Sequence, residues 1–241
     1  MRSYTRHQLK ENAFAETTAE TISWAVEHRS KLIAAAIVVA IVAAAAVGIW
    51  AFVNYRNQQA SDELAGALQK CQAPIRAAGE PASPETLSYA SSAERAKAAN
   101  ADFTRIAGKY SFTRNGRIAR YFAGITLHDL GDNAGAEKQL QEVAGSHDKE
   151  VASLAKLALA SIDQDAGKTQ QAIELYKGLI ANPTTSVGAT TAQFELANLY
   201  EANHQPLEAR KLYEQMQKAD PTGPVGQLAS QKLQTLRPPQ P

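Results

Sequence analysis

The sequence predicts an all-α protein: a single transmembrane helix, then a right-handed α-solenoid of about three to four helical hairpins closed by a C-terminal capping helix. Three observations carry this. Residues 32–53 are an unbroken run of 22 apolar or small residues with no charge. Beyond them the chain is rich in Ala, Leu, Gln, Glu and Lys and punctuated by Gly, Asn and Pro, without the apolar and polar alternation that strands require. Small residues also recur at intervals of 36 and 37, at Ala136, Ala172 and Ala209.

The apolar run, flanked by Arg29 and Lys31 before it and Arg56 after it, would be about 33 Å long as a helix, against a hydrocarbon core of roughly 30 Å. Eleven of its residues are Leu, Ile, Val or Phe, which favours insertion by very roughly 3 to 7 kcal/mol. Trp50 and Tyr55 stand near its exit, where amphipathic rings favour the headgroup level. The run is longer than the apolar region of a cleaved signal and 31 residues precede it, so a retained anchor is expected. The basic residues close to the span bias the N-terminus toward the cytoplasm. Ala36, Ala40, Ala44 and Gly48 recur every four residues and could let another membrane helix approach closely, although nine of the 22 residues are Ala and such spacing arises easily.

Charge is balanced, with 25 Lys and Arg against 24 Asp and Glu. No basic footprint of a nucleic-acid binder stands out, and the segment Glu94 to Arg120, with seven basic and two acidic residues, reads as a solvated helical face. The single Cys71 can form neither an intramolecular disulfide nor, alone, a zinc site.

The recurrence extends to neighbouring positions. Leu140, Tyr176 and Tyr213 stand four residues after the small residues, and Val143, Leu179 and Met216 three further on. Twelve residues before them stand Gly124, Ala160 and Ala197. Small residues where two helices cross, followed by a bulky residue filling the gap to the next hairpin, form the pattern of tetratricopeptide repeats. The turn between the helices falls at Gly131, Gly167 and His204. Asp163 stands where this pattern usually has Tyr, so the second hairpin is expected to be the least regular. Ala99, Phe103 and Ile106 repeat the second-helix spacing in an earlier, degenerate unit whose first helix, from about residue 54 to 71, continues the membrane helix; Gly79, Pro81 and Pro84 mark a loop between them. The apolar face of the capping helix is read as Val225, Leu228, Leu233 and Leu236, with Pro238 and Pro239 stopping it.

The expected organisation is a cytoplasmic tail over 1–31, the span over 32–53, and a repeat domain over 54–236. Within the domain lie the degenerate unit 54–112, repeats at about 117–150, 153–186 and 190–223, and the capping helix 224–236; a disordered tail covers 237–241.

Chemistry-bearing motifs fail on spacing. Gly167-Lys168-Thr169 ends like a phosphate loop, but Ile162 stands where that loop needs its first Gly. Asp163, Asp165 and Glu174 suit positions 1, 3 and 12 of a calcium loop, but Lys168 replaces its Gly. Ser146-His147-Asp148 is contiguous, whereas a catalytic triad converges from separate segments. The reading is of a non-enzyme with no catalytic, cofactor-binding or metal residues and no cofactor, whose partners are proteins rather than nucleic acid or a small-molecule substrate.

A short tail, one membrane helix leaving through Gly48-Ile49-Trp50, a polar helix starting Asn54-Tyr55-Arg56-Asn57-Gln58-Gln59, and degenerate tetratricopeptide hairpins together resemble the YfgM-like ancillary subunits of the bacterial Sec translocon. The resemblance implies a single-pass bacterial inner-membrane scaffold, N-terminus cytoplasmic and repeats periplasmic, associated with the translocon and with periplasmic folding factors. The tail is longer than the family leads one to expect. The same residues also suit a scaffold for envelope assembly or cell division, or an accessory subunit of a membrane enzyme.

The repeat register places protein-binding contacts on the concave surface made by the first helix of each hairpin. There stand Tyr121, Ile125, His128, Ser161, Gln164, Asp165, Phe194, Asn198 and Glu201, with Ile125 and Phe194 equally suited to packing between hairpins.

Overall fold

The structure, a computed structural model, describes residue 24 and residues 26–83 and 85–236. The tail before residue 24, Pro84 and the C-terminal segment 237–241 with its prolines lie outside the described residues. The chain divides into two compact units, Met1–Tyr55 and Arg56–Pro241.

In the first unit the apolar run is helical and forms the first part of α1, Arg29–Gln72, a helix of 44 residues with a mean hydropathy of 2.9 over its most apolar window. It is long and apolar enough to cross a membrane. No residue of that window is buried, and Ala36, Ala40, Ala44 and Gly48 are all exposed.

Among its described residues the second unit is helical, apart from its turns and one longer link. After the polar end of α1 come α2 (Ser92–Lys109), α3 (Arg114–Asp129), α4 (Asn133–Ala144), α5 (Lys149–Asp165), α6 (Thr169–Ala181), α7 (Ala189–Ala202), α8 (Pro206–Ala219) and α9 (Pro224–Thr235). The sequence starts these helices with recognisable caps. Side chains of Ser91, Thr113, Asp132 and Asp148 accept from the backbone N–H of Glu94, Gly116, Gly135 and Val151, while Pro206 and Pro224 open α8 and α9. The link from α1 to α2 is irregular, held by an isolated bridge between Ile75 and Tyr89 and by Arg76, which donates to the Ser88 carbonyl at 2.6 Å.

Three hairpins, α3–α4, α5–α6 and α7–α8, close through one repeated turn. Gly131, Gly167 and His204 all take positive φ, at 81°, 73° and 57°. In each, the residue after the turn donates back to a carbonyl five residues earlier: Asp132 to Leu127, Lys168 to Asp163 and Gln205 to Tyr200, at 2.9, 2.7 and 2.8 Å. The left-handed residue frees the chain to reverse while satisfying helix-end carbonyls. The second hairpin therefore turns as regularly as the others, because that turn needs only the carbonyl of Asp163 and no particular side chain there. The Ala166–Thr169 stretch is this hairpin turn.

The core is built from the small and bulky positions. Ala136, Ala160, Ala172, Ala197 and Ala209 are fully buried, and Leu140, Tyr176 and Tyr213 close over them. The degenerate first unit follows the same rule, with Ala60, Leu64 and Ala67 of α1 packing on Ala99, Phe103 and Ile106 of α2. The capping helix departs from expectation: Leu228 is 41% exposed, whereas Gly226 and Ala229 are buried. A β-carbon on Gly226 would stand 1.7 Å from the Asp220 carbonyl oxygen, so α9 approaches the α8–α9 turn on a small-residue face. Val225, Leu233 and Leu236 flank that face, partly buried.

Candidate functional site

Helices α3, α5 and α7, the first of each hairpin, together with Tyr176 of α6, line a groove of about 300 Å3. Four of the sequence-derived residues meet in it: Tyr121, Ile125 and His128 from α3, and Ser161 from α5. The 3.6-residue period puts Tyr121, Ile125 and His128 on one stripe of α3, since they lie four and three residues apart. The groove offers a peptide both aromatic surface and hydrogen-bonding groups. Burial pushes the Tyr121 phenol above its ordinary pKa, so it stays protonated and able to donate.

His128 and Asp165 come together at the groove's rim. The His128 Nδ1 lies 2.8 Å from the Asn133 side-chain oxygen, and its Nε2 lies 3.8 Å from the Asp165 carboxylate on the next hairpin. Gln164 is half-buried and its carbonyl accepts from Gly167 N–H at 3.0 Å.

The remaining three residues form a separate cluster beneath the capping helix. Tyr213 donates to Asn198 at 3.2 Å and to Glu201 at 2.5 Å, and the Lys232 ammonium of α9 reaches Glu201 at 3.1 Å and Asn198 at 3.4 Å. Phe194 stands edge-on to Tyr213, with Lys232 5.9 Å from its ring centre. Burial, then the bond to Glu201, pushes the Tyr213 phenol far above its usual range. Together these contacts hold α9 against α7 and α8.

Leu154, Leu157, Ala158, Tyr176 and Glu195 also line the first groove and were not among the residues the sequence assigned to the binding surface. Leu154, Leu157 and Ala158 were findable, because they continue the stripe of Ser161 at helical spacing. A second and larger trough, of about 890 Å3, runs between α4 and α6 over α5, a face the sequence reading did not weigh. Its lining includes Ala152, Ser153, Gly178 and Asp163. The signal was Asp163 in an aromatic's place. Its short side chain pairs with Lys168 at 3.4 Å, and Lys168 also donates to Glu137 at 2.5 Å, so a charged bridge replaces an aromatic ring. Among the described residues no three His, Cys, Asp or Glu side chains are placed to hold a metal ion.

Residues 23–237 match a family described as "Tetratricopeptide repeat-like domain". Two crystal structures are similar in fold, both of nearly identical TPR-like repeats attributed to a kinesin light chain of Podosopora anserina. One aligns with a TM-score of 0.55 at 16% identity, covering 75% of this chain and 86% of that one. The other, a point variant, aligns with a TM-score of 0.55 at 17% identity, covering 75% and 85%. No curated protein matches the chain by sequence.

Proposed function

Because the chain belongs to the tetratricopeptide repeat-like domain family, matching it over residues 23–237, we propose that it is a membrane-anchored scaffold of the bacterial envelope. It binds protein partners on the inner faces of its hairpins. Residues 32–53 cross the inner membrane once, the N-terminus is cytoplasmic, and the repeats over 54–236 lie in the periplasm. There they link the Sec translocon to periplasmic folding factors, as in the YfgM-like subunits that the chain resembles.

The observation that carries this reading is the extent of the family match, which takes in the apolar run together with the hairpins. The match treats the apolar run and the hairpins as one unit, which supports a role for the anchor joined to that of the repeats. A repeat domain offers surface rather than chemistry, so the function rests on binding. The aromatic and hydrogen-bonding lining of the groove at Tyr121, His128 and Ser161 suits an apolar peptide segment with a few polar groups.

Protease added to spheroplasts tests the topology, and copurification from gently solubilised membranes tests the partners. Digestion of the repeats together with recovery of translocon subunits is the expected outcome. Protected repeats, or a complex containing division or assembly proteins in place of the translocon, would replace this reading.

A further inference from the structure

We propose that the α2–α3 turn is a binding site for anionic phospholipid headgroups, formed by Lys109, Arg114 and Arg117. The proposal rests on the reading above in one respect: that residues 32–53 span the membrane.

Asn57 is four residues beyond Val53, the last residue of the apolar run. Four residues rise about 6 Å as helix and reach at most about 14 Å fully extended, whatever the chain does between them. The headgroup layer is itself about 5–7 Å thick, so Asn57 is tethered at or just above it.

The α2–α3 turn is fastened to this point. Asn115 at the start of α3 donates its backbone N–H to the Asn57 side-chain oxygen and its amide to the Asn57 carbonyl, both at 3.0 Å. Arg56 donates to the Lys109 carbonyl at 2.7 Å. Helix α2 runs antiparallel to the polar part of α1, since Lys109 pairs with Glu63 at 2.7 Å while Asp102 pairs with Lys70. Its C-terminal end, and not its start, is therefore level with Asn57.

Cations outnumber carboxylates at this end. Glu63 is shared by Arg105 and Lys109, and Asp148 by Arg114 and Arg117. Arg56 lies over the Tyr110 ring, 4.5 Å from its centre, and against a carbonyl, neither of which neutralises it. The side chains of Arg114 and Lys109 are 59% and 47% exposed, so both can turn toward phosphates within a Debye length of about 8–10 Å. Each cation near an anionic bilayer contributes about 1 kcal/mol of attraction, roughly a fivefold change.

The test uses the full chain in nanodiscs of phosphatidylcholine alone or mixed with phosphatidylglycerol, with hydrogen exchange read over residues 109–117. Exchange is expected to slow at least about fivefold in the anionic discs; Lys109→Gln with Arg114→Gln should remove most of the difference, and high salt should abolish it. Both are exposed ion-pair residues, so the double variant should keep its helical circular dichroism. Equal exchange in the two lipids overturns the proposal, as does equal protection by inorganic phosphate in neutral discs. Alkaline carbonate extraction from liposomes reads the spanning helix separately. Retention with equal exchange removes the lipid site alone, whereas release of the chain removes both readings.

Discussion

Gly124 lies against Leu140 so closely that a β-carbon on the glycine would stand 2.6 Å from the leucine Cγ. The two helices of the α3–α4 hairpin cross at this contact, and the missing side chain sets their separation. Gly124→Ala should cost about 1–3 kcal/mol, as overpacking of a close contact does, measured by urea unfolding. A variant with unchanged stability would mean that the hairpin can open without penalty.

His204 holds the left-handed conformation that Gly131 and Gly167 adopt in the other hairpins. The strain falls on a residue with a β-carbon, where L-residues lose about 1–2 kcal/mol relative to their preferred region. His204→Gly should raise stability by about 0.5–1 kcal/mol after the extra chain entropy of glycine is offset. Gly131→Ala and Gly167→Ala should lower it. Thermal unfolding of the three variants checks the opposite signs.

Glu63 accepts from Lys109, Tyr110 and Arg105, which hold its carboxyl down at about 2, against an ordinary value of 4.5. Its folded pKa is depressed, so its contribution is complete above 4.5 and is lost as pH falls toward 2. The stability difference between the protein and Glu63→Gln should accordingly be largest near pH 6 and shrink steadily below about pH 4.5. A difference independent of pH would show that Glu63 acts through packing alone.

Ala40→Leu with Ala44→Leu should leave membrane insertion intact, because the span becomes more apolar. It should weaken any complex that needs close helix approach along the Ala36, Ala40, Ala44 and Gly48 face. Crosslinking yields from these positions, compared with Val38 and Val42, read the effect. Equal yields on both faces would leave the helix as a tether.

Much of the fold was legible because it depends on local rules. The small residues at Ala136, Ala172 and Ala209 and the turns at Gly131 and Gly167 follow from close crossing and positive φ, which residue type announces; the third turn, at His204, followed from the repeat spacing alone. The face of α9 was misread at Leu228, because a helix meeting a neighbour's backbone buries Gly226 and Ala229 in preference to its bulkier residues. The site was legible only along single helices. The stripe of Tyr121, Ile125 and His128 follows from one helix's periodicity. The ties of Asn198 and Glu201 to Lys232 join residues 34 and 31 apart through the docking of α9, and no local pattern encodes that. The trough beside Asp163 likewise arises from the spacing of α4 and α6, two helices that follow one another only after a third.

Recognition through the groove of α3 and α5 at the membrane is tested most directly by site-specific photocrosslinking in native membranes. Ser161 is exposed and lines the groove, while Lys156 is exposed on the other trough of the same helix. A photoreactive residue at Ser161 should crosslink to a translocon subunit or a periplasmic folding factor, and one at Lys156 should not. Capture from Lys156 with none from Ser161 would contradict the assignment and move recognition to the trough between α4 and α6.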